Sequence, residues 1–293
     1  MIYSQATGGF GNQLYNYAIG FALAQEYHDD FTLDISPYKF SPRPFVLDRL
    51  TISGKVVSLF PPARDTKICR IFARVLRILA SNRYGLCKWI KEASDTRNRF
   101  GNYDFSHKAS LYLEGYWQHY KYFDKYYSEL CKEFQLKPEF MSEECRKLIE
   151  SCSQENSIAV HIRKGDYEAS WVLDDSYYHK AFAHMDAMAP NSHYYIFCED
   201  IPYVQAHYGN LPNAVFVTAD HTLSDLEEFY LMSKCRHQII ANSTFSWWAA
   251  YLNTHPDKQV IAPEYMHWTK DYYPESWVIF SATNKGGTHE NNS

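Results

Sequence analysis

Three short segments gather the residue types that handle anionic or sugar ligands. The first is Gly8-Gly9-Phe10-Gly11-Asn12-Gln13. Glycines there allow positive φ and close backbone approach. If a helix opens at this point, its free N–H groups and partial positive charge suit a phosphate or a sugar hydroxyl. Asn12 and Gln13 would add two amide side chains at the mouth, and Gly9 and Gly11 would let a ligand approach the backbone. The pattern is neither G-x-G-x-x-G nor a P-loop, so plain turn punctuation stays open. The second segment is His161-Ile-Arg163-Lys164-Gly165-Asp166-Tyr167. His161 and Arg163 alternate at the tip of a β-branched run and so share a face. An arginine there can grip phosphate oxygens bidentately. A surface turn carrying a salt bridge is the alternative. The third is Asn242-Ser243-Thr244-Phe245-Ser246-Trp247-Trp248. Asn242 or Ser243 can cap a helix, and the hydroxyls of Ser243, Thr244 and Ser246 offer a second anion or ribose site. The two tryptophans read better as core.

Absences narrow the chemistry. The chain has no H-E-x-x-H, no EF-hand loop, no G-x-S-x-G and no D-x-D. No metal site is therefore expected. Arginine, lysine and helix N-termini would have to neutralise a leaving diphosphate themselves.

These segments need elements to hold them. With 293 residues, the chain has room for one large or two medium domains. Residues 2–6 read as a strand, 12–27 as a helix with Leu14, Tyr17, Ala18, Phe21 and Ala22 on one side, and 31–35 as a second strand. Residues 36–62 carry five prolines and read as irregular. Residues 67–91 read as a helix with Arg70, Arg74 and Arg77 on a basic face. Residues 110–116 read as a strand, followed by aromatic helical sequence to 136. From 157 onward strands and helices alternate, which implies a parallel sheet covered on both faces. Ser224-x-x-Glu227 is a capping box. The fold expected is α/β, with two Rossmann-like domains, 1–152 and 153–293, facing a central cleft.

Net charge is −5, which argues against a nucleic-acid binder. Residues 64–99 hold ten Lys/Arg and three Asp/Glu, a local +7 (10 − 3). That suggests peripheral contact between the 67–91 helix and an anionic membrane; a core-packed helix with a solvated basic face is the competing reading. The seven cysteines are scattered without a C-x-x-C, as expected of free thiols in a reducing compartment. No signal peptide and no apolar run of about 18 residues is visible, so a cytoplasmic location, at most peripheral at the inner face of the membrane, is expected.

Taken together, Gly8-Gly-Phe-Gly-Asn-Gln-Leu-Tyr-Asn-Tyr-Ala18, His161-Ile-Arg-Lys-Gly-Asp-Tyr167 and Ile240-Ala-Asn-Ser-Thr-Phe-Ser-Trp-Trp-Ala-Ala250 resemble the α-1,2-fucosyltransferases of glycosyltransferase family 11. The resemblance implies a GT-B fold with residues 1–152 on the acceptor side and 153–293 binding the donor. It implies GDP-L-fucose as co-substrate, no metal or cofactor, and inverting transfer to O2 of a terminal galactose on an oligosaccharide or glycolipid. It further implies that Arg163 meets the β-phosphate and that His161 supports the donor site. Asn12 would reach the donor from the first domain, with Ser243 to Ser246 around the nucleotide. Family members usually carry two successive arginines; here the second is Lys164. Eukaryotic members carry an N-terminal anchor, so a chain without one resembles the bacterial type.

Asp166 is the first candidate for the base that takes the acceptor proton, with Glu168 second; an ion-pair role orienting Arg163 or Lys164 is equally open for Asp166. Glu228 is the candidate acceptor for guanine N1–H and N2. Tyr15, Tyr116, Trp117 and His119 are candidates for holding the acceptor sugar. Two other readings compete. A dehydrogenase would use the first glycine turn and need Asp34 at the end of the second strand. A non-catalytic glycan-binding protein would need only the aromatic content.

Overall fold

The computed structural model describes residues 1–59, 87–93, 98–164, 171–264 and 268–282, without the side chains of Phe40 and Lys270. The chain divides into two compact units, Met1–Gln135 and Leu136–Ser293. The sequence expectation put the join at 152/153. The difference comes from the helix Glu143–Gln154, which packs on the helix Asp225–Lys234 and so belongs with the second unit.

The first unit holds β1 (Ile2–Gln5), α1 (Phe10–Tyr27), β2 (Phe31–Asp34), β3 (Lys55–Val57), β4 (Lys88–Lys91), β5 (Leu111–Glu114) and α2 (Tyr127–Glu133). Its five strands form a parallel sheet in the order β3-β2-β1-β5-β4. Helix α1 is buried on every face from Leu14 to Ala24, as a stretch apolar nearly all round must be. Gly20 lets it approach the sheet: a Cβ there would lie 2.2 Å from the Phe31 ring.

The second unit holds α3 (Glu143–Gln154), β6 (Ser157–His161), α4 (Asp175–Met188), β7 (His193–Phe197), α5 (Ile201–Tyr208), β8 (Ala214–Phe216), α6 (Val217–Asp220), α7 (Asp225–Lys234), β9 (His237–Ile239), α8 (Thr244–Tyr251), β10 (Val260–Glu264) and β11 (Val278–Ser281). Its six strands are all parallel, in the order β11-β10-β9-β6-β7-β8. Chain order runs outward from β6 to β8 on one side and from β9 to β11 on the other. The winding therefore reverses between β6 and β9, and this crevice at the strands' carboxyl ends is where open α/β sheets take ligands. Strand β6 is buried on both faces, as a central parallel strand must be. Side-chain caps start the helices: Ser142 on α3, Asp174 on α4, Asp200 on α5 and the full Ser224/Glu227 box on α7.

Several elements depart from the sequence expectation. Lys88–Lys91 closes the expected 67–91 helix as a strand instead. Pairing with β5 wins there: Trp89 stacks on Tyr112 at 3.9 Å and donates to Glu114 at 3.0 Å, while Lys91 pairs with Glu114 at 2.9 Å. Residues 60–86, with the basic face, lie outside the described residues. Strand β3 lies inside the stretch expected to be irregular, and β11 was not expected at all; both are short edge strands recruited by their neighbours. The aromatic run before residue 136 is two 3-10 turns and the short α2, rather than one helix. No helix among the described residues is long and apolar enough to cross a membrane.

The dehydrogenase reading fails at Asp34. Its Oδ1 accepts from Ser36 N (2.9 Å), Ser36 Oγ (2.5 Å) and Leu59 N (3.1 Å), and its Oδ2 from Tyr112 (2.7 Å). The carboxylate is fully buried and both its oxygens are already spent on groups of its own unit, so it is a structural acceptor rather than one offered to a ribose.

One buried residue, Asn16, ties together the ends of the neighbouring strands β1 and β5. Asn16 Oδ1 accepts from Thr7 N at 3.0 Å, and its Nδ2 donates to Gly115 O at 2.7 Å. Its own carbonyl accepts from Ser4 Oγ at 2.7 Å. The side chain thus joins the two strand exits. Asn16→Ala takes away the partners of the half-buried Thr7 N–H and Gly115 carbonyl and should destabilise the protein by about 1–3 kcal/mol, read as a lowered urea midpoint.

Candidate functional site

The site is built on the carboxyl edge of the second sheet. His161 ends β6, and Arg163 follows two residues later. Asn242 and Ser243 leave β9 and lead into α8. Tyr177 holds this edge from below, donating to Ile240 O at 2.6 Å and Ile261 O at 3.1 Å, while Tyr178 donates to His161 O at 3.3 Å. The second and third motifs therefore flank one crevice, at the reversal of winding.

The charges there are sorted. Arg163 Nη1 lies 3.9 Å from Glu199 Oε1, a long contact to an exposed carboxylate. Lys164 turns the other way. Its ammonium sits 3.5 Å from Asp175 Oδ1 and 4.1 Å from the centre of the Tyr203 ring. Tyr203 in turn donates to Asp175. Lys164 thus ties the motif to the start of α4 and to α5. His161 is buried, with its ring 5.7 Å from that of Phe245. Burial, and then the charge of Arg163, lowers its pKa to about 3, so the imidazole is neutral. Its Nδ1 has no partner among the described residues.

Glu228, on α7, faces the same edge from the β7–β8 side. Cys198, just past β7, donates its N–H to Thr218 Oγ1 at 3.1 Å, and Thr218 hydrogen-bonds Glu228. Burial, with the neighbouring carboxylates Asp225 and Glu199, pushes the Glu228 carboxyl up to about 7 against that hydrogen bond. Its neighbour Glu227 is structural, closing the capping box and accepting from Ser142 N at 2.7 Å.

The third motif is spent largely on its own architecture. Ser243 accepts from Phe245 N at 3.3 Å as the cap of α8, and Ser246 Oγ turns back to Ser243 O at 3.4 Å. Asn242 Nδ2 donates to Trp171 O at 2.8 Å. Asn242, Ser243 and Ser246 are buried, while Thr244 is half-buried. Trp247 and Trp248 are fully buried, and Trp247 stacks on Tyr251 at 4.9 Å, so they are core. Asp166 and Glu168 lie outside the described residues.

In the first unit, the glycine turn opens α1 at the end of β1. Gly9 caps the helix with its carbonyl, 2.9 Å from Asn12 N and 3.1 Å from Gln13 N. Gly8 has φ +77, and a Cβ there would strike Asn12 Nδ2 at 2.5 Å, so only glycine fits. Asn12 Oδ1 accepts from Gln118 at 2.7 Å, and Gly11 is buried. Gln13 is not at the mouth. It is buried and staples a loop, donating to Pro44 O at 2.9 Å and accepting from Val46 N at 3.1 Å. Tyr15, Trp117 and His119 are buried within this unit, and Tyr116 is half-buried.

Sequence reasoning did not single out Glu199, Asp175, Trp171 or Asn16. Glu199 had a legible signal, an acid just past a strand at the ligand-binding edge. Asn16 had another, an amide on an apolar helix face. No group of three or more His, Cys, Asp or Glu residues placed to hold a metal occurs among the described residues.

The family model described as glycosyl transferase family 11 matches residues 44–280. An O-antigen biosynthesis glycosyltransferase, WbnK, from Escherichia coli is 27% identical, over 89% of this chain and 93% of its own. An alpha-1,2-colitosyltransferase from the same species is 26% identical, over 95% and 98%. The crystal structure of the fucosyltransferase NodZ from Bradyrhizobium superposes with a TM-score of 0.50 at 15% identity, over 85% of this chain and 92% of that one. Two parallel sheets flanked by helices, as in that structure, make the fold GT-B.

The Glu228 carboxyl gives the site a pH signature. Its folded pKa of about 7 stands above the ordinary 4.5. The protonated form therefore adds stability that is fully present below 4.5 and lost as pH rises through 7. Melting temperatures of Glu228→Gln and the wild type, compared from about pH 5 to pH 9, should show the variant gaining on the wild type through pH 7 and level off above it.

Proposed function

The chain belongs to glycosyl transferase family 11, and from that premise we propose that it transfers L-fucose from GDP-L-fucose to O2 of a terminal galactose on a glycan, with inversion and without a metal. The observation that carries this reading is Arg163, a guanidinium at the winding reversal whose long contact to exposed Glu199 can be exchanged for a phosphate.

The chemistry is one displacement. The acceptor oxygen attacks the anomeric carbon, the bond from that carbon to the β-phosphate oxygen breaks, and GDP leaves with the electron pair. Arg163 stabilises the charge growing on the phosphate, an effect commonly worth about 3–4 kcal/mol per well-placed donor. The acceptor proton passes to a carboxylate, for which Asp166 is our first candidate and Glu168 our second. His161, neutral and buried, supports Arg163 from the strand end. We assign Glu228 to the guanine edge, where its ionised form accepts from N1–H and N2. Thr244, the half-buried member of its motif, and the α8 start cap that Ser243 forms are assigned to the nucleotide. In the first unit, we assign substrate contact to the turn that carries Asn12, Gly9 and Gly11. A β-linked donor and a single displacement give an α product.

The O2 position rests on the resemblance and on the α-1,2 linkage in the name of the 26% identical relative. That name also favours a second reading, in which the sugar moved is colitose. Of the basic 67–91 segment, Lys88 and Lys91 are paired within the first unit, and the basic residues before them are our candidate for contact with anionic lipid beside a glycolipid acceptor, on the cytoplasmic side.

Incubation with GDP-fucose and a panel of galactosides in excess EDTA tests the whole reading, with the linkage read by NMR. We expect α-fucose on O2 and full activity in EDTA. Transfer to O3 or O4 of N-acetylglucosamine would overturn the regiochemistry, and loss of activity restored by Mn²⁺ would overturn the leaving-group chemistry.

Arg163→Ala should lower kcat by about 10²–10³ with an unchanged circular dichroism spectrum, since the charge is used chiefly in the transition state. Arg163→Lys should recover little of that loss, because the two-pronged grip is gone. Near wild-type turnover in either variant would remove Arg163 from the phosphate.

A further inference from the structure

We propose that Glu199 is the ribose-binding residue of the nucleotide site, its carboxylate accepting from the 2′- and 3′-hydroxyls; the inference rests on the reading above and gives the middle of the donor nucleotide a place. The sheet fixes this side chain. Strands β6 and β7 pair in parallel with His161 opposite Phe197, and just beyond that pair Ile162 N donates to Phe197 O at 2.9 Å. The register therefore sets Arg163 opposite Glu199, and Arg163 Nη1 lies 3.9 Å from Glu199 Oε1. On the other side, Glu199 is one of the two carboxylates whose charge acts on Glu228. A chain of contacts joins them: Cys198 N donates to Thr218 Oγ1 at 3.1 Å, and Thr218 hydrogen-bonds Glu228. Glu199 thus neighbours both the arginine assigned to the β-phosphate and the carboxyl assigned to guanine. The part of the nucleotide that joins those two groups is the ribose.

The chemistry of the position agrees. In a βαβ unit that binds a nucleotide, an acid past the second strand accepts from ribose hydroxyls. β6, α4 and β7 form such a unit, and Glu199 stands past its second strand. The next acid, Asp200, is committed to the cap of α5, where it accepts from Tyr203 N at 3.1 Å. Glu199 is 65% exposed, and no hydrogen bond to its carboxylate forms among the described residues. An ionised carboxylate is an acceptor with two oxygens. It repels phosphate but matches two neighbouring hydroxyls of a ribose. When a phosphate draws on Arg163, those hydroxyls supply the carboxylate with new donors.

Calorimetric titration with GDP and 2′,3′-dideoxy-GDP, on the wild type, Glu199→Ala and Glu199→Gln, tests the assignment. The wild type should bind GDP about tenfold more tightly than the dideoxy nucleotide. That is the lower end of what a hydrogen bond to a charged group gives, because Glu199 is exposed. In Glu199→Ala the ratio should fall to about one, and Glu199→Gln should keep part of it through its remaining acceptor oxygen. Loss of the charge beside Arg163 and Glu228 acts on both nucleotides alike and cancels in the ratio. Equal binding of the two nucleotides by the wild type would overturn the proposal. So would a ratio that survives in Glu199→Ala, which leaves Glu199 only the task of screening Arg163. The donor reading fails separately. Tighter binding of ADP or UDP than of GDP would remove guanine, and the ribose contact is then read from that nucleotide and its dideoxy counterpart. Binding of none of the three overturns both.

Discussion

All six strands of the second sheet run in one direction, so their carboxyl ends share one edge, and the winding reverses beside β6. That constraint governs the rest of the site. Loops leaving β6 and β9 diverge to opposite faces of the sheet, and the gap between them is lined by whatever residues end those strands. His161, Arg163, Asn242 and Ser243 occupy those positions. Tyr177 and Tyr178 brace the gap through carbonyls of the strand ends, which keeps it open without leaving backbone unpaired.

The two successive cations of the second motif illustrate how such an edge divides labour. A cation taken partly out of water needs a partner or a ligand. Lys164 has found its partners inside the protein, in Asp175 and the face of Tyr203. Arg163 makes a long contact, 3.9 Å, to exposed Glu199. A lysine suffices where the family usually has a second arginine, because the task there is to anchor a loop with a point charge rather than to fork onto oxygens. The buried, neutral His161 adds no competing charge beside Arg163.

The third motif shows that motif and contact are different things. Ser243 and Ser246 are used in shaping the first turn of α8, and Asn242 in holding Trp171. The residues that look most suited to a ligand are those that fix the local backbone. Half-buried Thr244 is what the segment leaves accessible.

The sequence by itself determined the local elements and their class. The glycine turn, the β-branched run before His161 and the Ser224 box are written in neighbouring residues, because caps, turns and periodicity act over a few positions. Alternation of strand and helix was enough to expect two parallel α/β units, and the spacing of His161 and Arg163 to expect both on one strand tip. What lay beyond reach was set by partners distant in the chain. Lys88–Lys91 is a strand because Trp89 meets Tyr112 and Glu114, and β3 and β11 exist because a neighbouring strand offers its edge. Gln13 looked like a ligand-facing amide until Pro44 and Val46 claimed it, and Asp34 like a ribose acceptor until Tyr112 and Leu59 did. Asn16, Glu199 and Trp171 acquired their places only when strand order had been settled. Strand order is a matter of long-range pairing and burial, which no short window of sequence encodes.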